Sequence, residues 1–125
     1  MILDTNALSA YLDGISEAVE RVSEAREVAI PVMVAGEFAF GIAQSRHREM
    51  YERALQRMLD KCIVLDIGIG TSRHYAAIRL ELKRTGKPIP VNDTWIAALT
   101  RQHALPVMSR DSHFDYVAGL RRIEW

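Results

Sequence analysis

Apolar residues in this chain fall into two kinds of run. Short unbroken runs, "MIL", "VAIPV", "CIVL" and "LPVM", have no polar alternation and predict buried strands. Between them, apolar positions recur at helical spacing. "NALSAYL" predicts a helix with Asn6 as its N-cap. "SEAVERVSEA" predicts a second, with Ser16 as cap and Val19 and Val22 facing inward. "VAGEFAFGIAQ" follows the second strand and is apolar around most of its circumference, which predicts a buried helix. From Arg46 to Cys62 the pattern is amphipathic, with Tyr51, Leu55, Met58, Leu59 and Cys62 on one stripe. Residues 71 to 85 predict another helix, stopped by Gly86 and Pro88, and "DTWIAALTRQH" a last one.

Strands alternating with helices predict βαβ units, hence a parallel sheet covered on both faces. The expected fold is α/β, a three-layer α/β/α sandwich around four parallel strands, with the tail "GLRRIEW" as a candidate fifth, edge strand. Nothing in 125 residues reads as a linker or a repeat, so residues 1–125 are expected to form one domain. No apolar run approaches the roughly 20 residues that span a bilayer. The first residues lack the basic region and apolar core of a secretory signal, so a cytoplasmic location without membrane contact is expected. Cys62, the single cysteine, fits a reducing compartment and reads as a small buried hydrophobe.

In parallel sheets, functional groups gather past the carboxyl ends of the strands. Asp4 follows the first strand. Glu37 stands in the first turns after the second. Asp111 follows the fourth, and Asp93 opens the helix that leads into it. Topology therefore brings four carboxylates to one sheet edge. Asp115, four residues past Asp111, is a fifth candidate if that turn is helical. Each acid has a plainer reading: Asp4 and Asp93 as helix caps, Asp111 as a turn residue, Glu37 as a solvated first-turn charge. Two features favour the shared site. Asp4 ends a strand with no polar residue, and no lysine or arginine occurs in "MILDTN", "PVMVAGEFAF" or "PIPVNDTWIAAL". Carboxylates crowded together away from water stay ionised only beside a compensating charge. A divalent cation supplies it, and an all-oxygen donor set suits Mg2+ or Mn2+. His47, His74, His103 and His113 show no zinc spacing, and His113, near Asp111, reads as a substrate-side or surface residue. Such a site fits phosphoryl chemistry on a phosphate-bearing substrate. Ser9, Ser109 and Cys62 lack a partnering histidine at a recognisable spacing, so no protein nucleophile is expected.

Net charge is zero, which counts against simple coating of nucleic acid. Setting the four acids aside leaves 12 acids against 16 bases, a mildly basic remainder that includes Arg46, Arg53, Arg57, Arg73, Arg79, Lys83, Arg84 and Lys87.

"MILDTN", "VAGEFAFG", "PIPVNDTWIAA" and "VMSRDSHFDYVAGL", in that order and over essentially the whole chain, resemble the PIN-domain ribonucleases, in particular VapC-type toxins of toxin–antitoxin pairs. The resemblance implies a PIN fold and a metal-dependent endoribonuclease acting on RNA, a structured RNA such as tRNA. It implies Mg2+ or Mn2+ held by Asp4, Glu37, Asp93 and Asp111. Asn6 would orient Asp4, Ser109 would support the site beside Asp111, and Asp115 matches an acid of some members. The implied partners are a cognate antitoxin and a second copy of the chain. One departure is visible: the Ser or Thr usual after the second strand is replaced by Val32 or Val34, which removes a helix cap but no ligand. A haloacid-dehalogenase-like magnesium phosphohydrolase needs an aspartate where Asn6 stands and leaves Glu37 unexplained. A dinucleotide site at "DIGIGTS" has Arg73 where a third glycine belongs. A non-catalytic PIN-like binding module has no use for four acids at one edge.

Overall fold

A computed structural model describes all 125 residues. The elements, in chain order, are β1 (Ile2–Leu3), α1 (Thr5–Leu12), α2 (Ser16–Glu24), β2 (Ala29–Pro31), α3 (Val32–Ile42), α4 (Arg48–Leu59), β3 (Ile63–Leu65), α5 (Ile69–Thr85), α6 (Val91–His103), β4 (Val107–Met108), a 3-10 helix (Ser112–Tyr116) and β5 (Arg122–Ile123). The sheet order is β3-β2-β1-β4-β5 and every pairing is parallel. The tail is thus a genuine fifth strand, paired to β4 through Val107–Arg122 and Met108–Ile123.

This order has a consequence for layering. The chain steps from β1 to β2 to β3 in one direction, then crosses back to β4. Right-handed crossovers place α1–α4 on one face of the sheet and α5 and α6 on the other. The core lies on both sides of β1, whose Ile2 and Leu3 are fully buried together with Leu8, Ile30, Ile78 and Leu99. β3 is an edge strand, and its Ile63 and Val64 stay exposed. No helix is long and apolar enough to cross a membrane.

Several helix starts differ from the sequence expectation. α1 begins at Thr5 and is capped by Asp4, whose extended backbone lets its carboxylate accept from the Ala7 N–H at 2.7 Å. Asn6 therefore lies inside the first turn, exposed, and is not the cap. α2 starts at Ser16 with Ile15 as its cap residue, and the Ser16 hydroxyl donates to the neighbouring Glu17 instead. Its buried face carries Ala18 and Val22, while Val19 stays exposed. α3 has Pro31 as its cap residue and no side-chain cap, as the valines there imply. It is not buried all round: Val34, Phe38 and Ile42 face the core, whereas Phe40 is 84 % exposed. A helix lying on one face of a sheet buries one stripe only, however apolar its other side. The α4 stripe and the left-handed Gly86 that ends α5 match the sequence reading.

Candidate metal centre

Parallel register sets the site. Leu3 pairs with Met108, so the next residues, Asp4 and Ser109, emerge side by side where β1 and β4 end. β1 continues toward β2 on one side while β4 lies on the other, which is the switch point where such sheets open a crevice. α3 starts directly from β2 and delivers Glu37 in its second turn. α6 starts after Pro90 with Asp93 in its first turn, so Asp93 is not the cap residue of its helix. Asp111 precedes the 3-10 helix and caps it by accepting from the His113 N–H at 2.9 Å.

Asp4 is only 4 % exposed. One of its oxygens accepts from Ala7, and the other accepts from the fully buried Ser109 hydroxyl. Burial, assisted by the charges of Asp93 and Asp111, nevertheless pushes its pKa up from 3.8 to about 6, against those two hydrogen bonds. Asp93 is also raised, first by burial, then by the charge of Asp111, with Glu37 adding to it and His113 opposing. The four carboxylates therefore share one field.

Glu37 is held from both sides: the Thr5 hydroxyl donates to one oxygen and the Asn92 amide to the other. Each donor neighbours another acid of the quartet, Asp4 and Asp93. The backbone segments that present the acids are thus tied through Glu37. His113 stands between Asp111 and Asp93, its Nδ1 3.0 Å from an Asp111 oxygen and 3.5 Å from Asp93. Ligand atoms of Asp93, Asp111 and His113 lie within 4.8 Å of one another. His113 is the only side chain of basic type paired with any of the four acids.

Asp115 is oriented elsewhere. Arg122 donates to both of its oxygens, at 2.8 and 2.7 Å, and these bonds hold its carboxyl below the usual range. The same guanidinium donates to the Ser109 carbonyl at 3.2 Å, so the pair fastens the 3-10 helix to the end of β4. Asn6 makes no side-chain hydrogen bond to Asp4; Ser109 fills that position. Thr5, Asn92, His113 and Arg122 are the contributors that sequence patterns did not assign to the site. The first two had one cue, a polar side chain beside each acid in "DTN" and "VND".

The donor set is oxygen-rich and lacks a lysine or arginine counter-ion, and burial, with the neighbouring acids adding to it, raises two of its members, Asp4 and Asp93. It fits a hard divalent cation, with Asp4, Glu37, Asp93 and Asp111 as the residues that would hold it.

The PIN domain family matches residues 1–120. Ribonuclease VapC5 of Mycobacterium tuberculosis is 26% identical over 98% of this chain and 91% of its own length. The solved VapBC-5, a member of the VapBC family of toxin-antitoxin systems from the same organism, superposes with TM-score 0.73 at 26% identity, over 98% of this chain and 94% of that one. The tRNA(fMet)-specific endonuclease VapC of Shigella flexneri is 29% identical over 71% of this chain and 68% of its own length. The fold alone is matched by VapBC2 of Rickettsia felis, solved bound to a DNA fragment from their promoter, with TM-score 0.88 at 20% identity over 99% and 97% of the two chains. With its sheet order, its acidic crevice and a match over nearly all of its length, the chain belongs to the PIN domain family.

Proposed function

We propose that this protein is a metal-dependent endoribonuclease and the toxin of a toxin–antitoxin pair, with Mg2+ or Mn2+ as its ion and a structured RNA such as tRNA as its substrate. The observation that carries the reading is the convergence of Asp4, Glu37, Asp93 and Asp111 on one crevice with no lysine or arginine to neutralise them. The VapC relatives, one of them specific for tRNA(fMet), support the substrate class.

A divalent cation bound there supplies positive charge to the scissile phosphate and makes water a stronger acid. The protein's own part is positioning. Ser109 and the Ala7 N–H fix both oxygens of Asp4. Thr5 and Asn92 fix Glu37. His113 sets its Nδ1 3.0 Å from Asp111 and 3.5 Å from Asp93, between the two acids. No side chain is set up to attack phosphorus. The Ser109 hydroxyl is buried and committed to Asp4, and burial pushes the Cys62 thiol up, at the opposite end of the sheet. Hydrolysis without a covalent RNA adduct is the expected route. A homodimer and a cognate antitoxin are the proposed partners. The unpartnered apolar residues Phe40 and Val32 on α3, 84 % and 44 % exposed, support a protein contact on that face.

The test is cleavage of purified tRNA and total RNA with Mg2+, Mn2+ or EDTA. Cutting with either ion, none in EDTA and none by Asp93→Asn is expected. Cutting by Asp93→Asn at the parent rate removes the assignment.

Glu37 gives a separate prediction. Asn92→Ala frees one of its oxygens, and loss of such an orienting partner lowers metal affinity about 10- to 100-fold. Calorimetric titration with Mn2+ reads this directly. Unchanged affinity would show that Asn92 does not orient a ligand.

A further inference from the structure

We infer that Tyr116 and Lys87 form a platform that holds an unpaired base of the substrate beside the acidic crevice. The inference rests on the nuclease reading above and deepens it.

Tyr116 ends the 3-10 helix and is 43 % exposed, although an aromatic ring gains by burial. Its ring lies 6.2 Å from that of His113, tilted by 55°. His113 in turn reaches Asp111 at 3.0 Å and Asp93 at 3.5 Å. One imidazole therefore separates the exposed ring from the carboxylates, which puts the ring within reach of the base of a nucleotide whose phosphate sits at the crevice.

Lys87 comes from a different element. α5 ends at Gly86, whose left-handed backbone (φ 67°) turns the chain, and the Lys87 N–H bonds back to the Leu82 carbonyl at 3.0 Å. Pro88 and Pro90 then stiffen the path into α6 and Asp93. From this short connection the Lys87 ammonium stands 5.1 Å over the Tyr116 ring. A half-exposed aromatic ring backed by a cation, next to a phosphate-handling site, combines the elements that hold single-stranded nucleic acid. The same connection continues into an open, largely apolar groove of about 740 Å³ between α5 and α6, whose only charged lining residues, Arg79 and Lys83, are both basic. That sign of charge fits a phosphodiester backbone leaving the crevice. A paired base offers no free face to Tyr116, whereas an unpaired one does.

The test measures binding apart from cleavage. In EDTA, anisotropy of fluorescein-labelled oligouridine is followed for the parent, Tyr116→Ala, Tyr116→Phe and Lys87→Gln, beside the oligouridine–oligoadenine duplex. Expected are tighter binding of the single strand than of the duplex, a roughly tenfold loss for Tyr116→Ala and parent-like affinity for Tyr116→Phe. Lys87→Gln should reduce the salt dependence by about one phosphate contact. Equal affinity of Tyr116→Ala and parent, with an unchanged melting temperature, overturns the platform; so does a preference for duplex. Should Tyr116→Ala fail to fold, an unchanged salt dependence in Lys87→Gln overturns it. Cleavage assays on the same variants separate the two readings. Equal kcat/KM for parent and Tyr116→Ala leaves the nuclease and overturns the platform. Tyr116-dependent binding by a parent that cuts no RNA leaves the platform and overturns the nuclease.

Discussion

Asp4→Asn is expected to lower metal-dependent RNA cleavage by about a hundred- to a thousandfold, the scale on which losing one site electrostatic group lowers turnover, while making the metal-free protein more stable. The two effects have one cause. Asn retains an oxygen for the Ala7 N–H, and its amide can face the Ser109 hydroxyl, which turns to accept. Local geometry survives and the buried charge goes. Folded Asp4 titrates at about 6 against an ordinary 3.8. The folded state thus binds this proton more tightly than the unfolded chain. The stability this confers is present in full below pH 3.8 and is lost as pH rises through about 6. At pH 7 the ionised carboxylate therefore costs about 3 kcal/mol, and Asp4→Asn should recover about 1–3 kcal/mol of it. Urea denaturation in EDTA at pH 7.5 and pH 4 reads the difference, which should shrink to under about 1 kcal/mol at the lower pH. A variant less stable than the parent at pH 7.5 would show that the charge is not strained there.

Phe114→Ala is expected to lower global stability by about 3–5 kcal/mol, the range for emptying a buried aromatic site. Phe114 is fully buried, yet it belongs to the 3-10 helix that carries His113 and Asp115 and follows Asp111. It anchors a functional loop to the core with one ring. Denaturant midpoints give the loss in stability. Cleavage at a temperature where the variant remains folded gives the loss of Asp111 placement, and the two should fall together. A loss under about 1 kcal/mol would mean that the segment is held chiefly by the Arg122–Asp115 clip.

The four acids were legible in the sequence because each lies just past an apolar run or within the first two turns of the helix beside one. "MIL" before Asp4 and "LPVM" before Ser109 and Asp111 fix where a buried strand stops, and parallel topology aligns those stops. Helix starts were less legible. Asp4 and Asn6 can both cap a helix, and only the extended backbone at Asp4 selects between them. Val19 and Ala18 are adjacent, so a small rotation of α2 decides which is buried. On α3, the exposed Phe40 carries the same apolar signal as the buried Phe38. The supports of Glu37 had no cue in its own neighbourhood: Thr5 and Asn92 stand beside other acids and reach it across 32 and 55 residues. His113 looked peripheral because a lone histidine two residues from an acid has no spacing that marks it.

The hydrogen bond between Ser109 and Asp4 joins residues 105 positions apart. The first carboxylate is thus made long before the serine that completes its surroundings, which arrives only with β4 beside β1. A chain still emerging from the ribosome holds Asp4, Glu37 and even Asp93 without Asp111, and without the serine that steadies the first acid. Contacts of such long range form late in folding. The acidic cluster is thus assembled only by a chain in which β4 has already paired with β1, so its geometry reports directly on completion of the sheet.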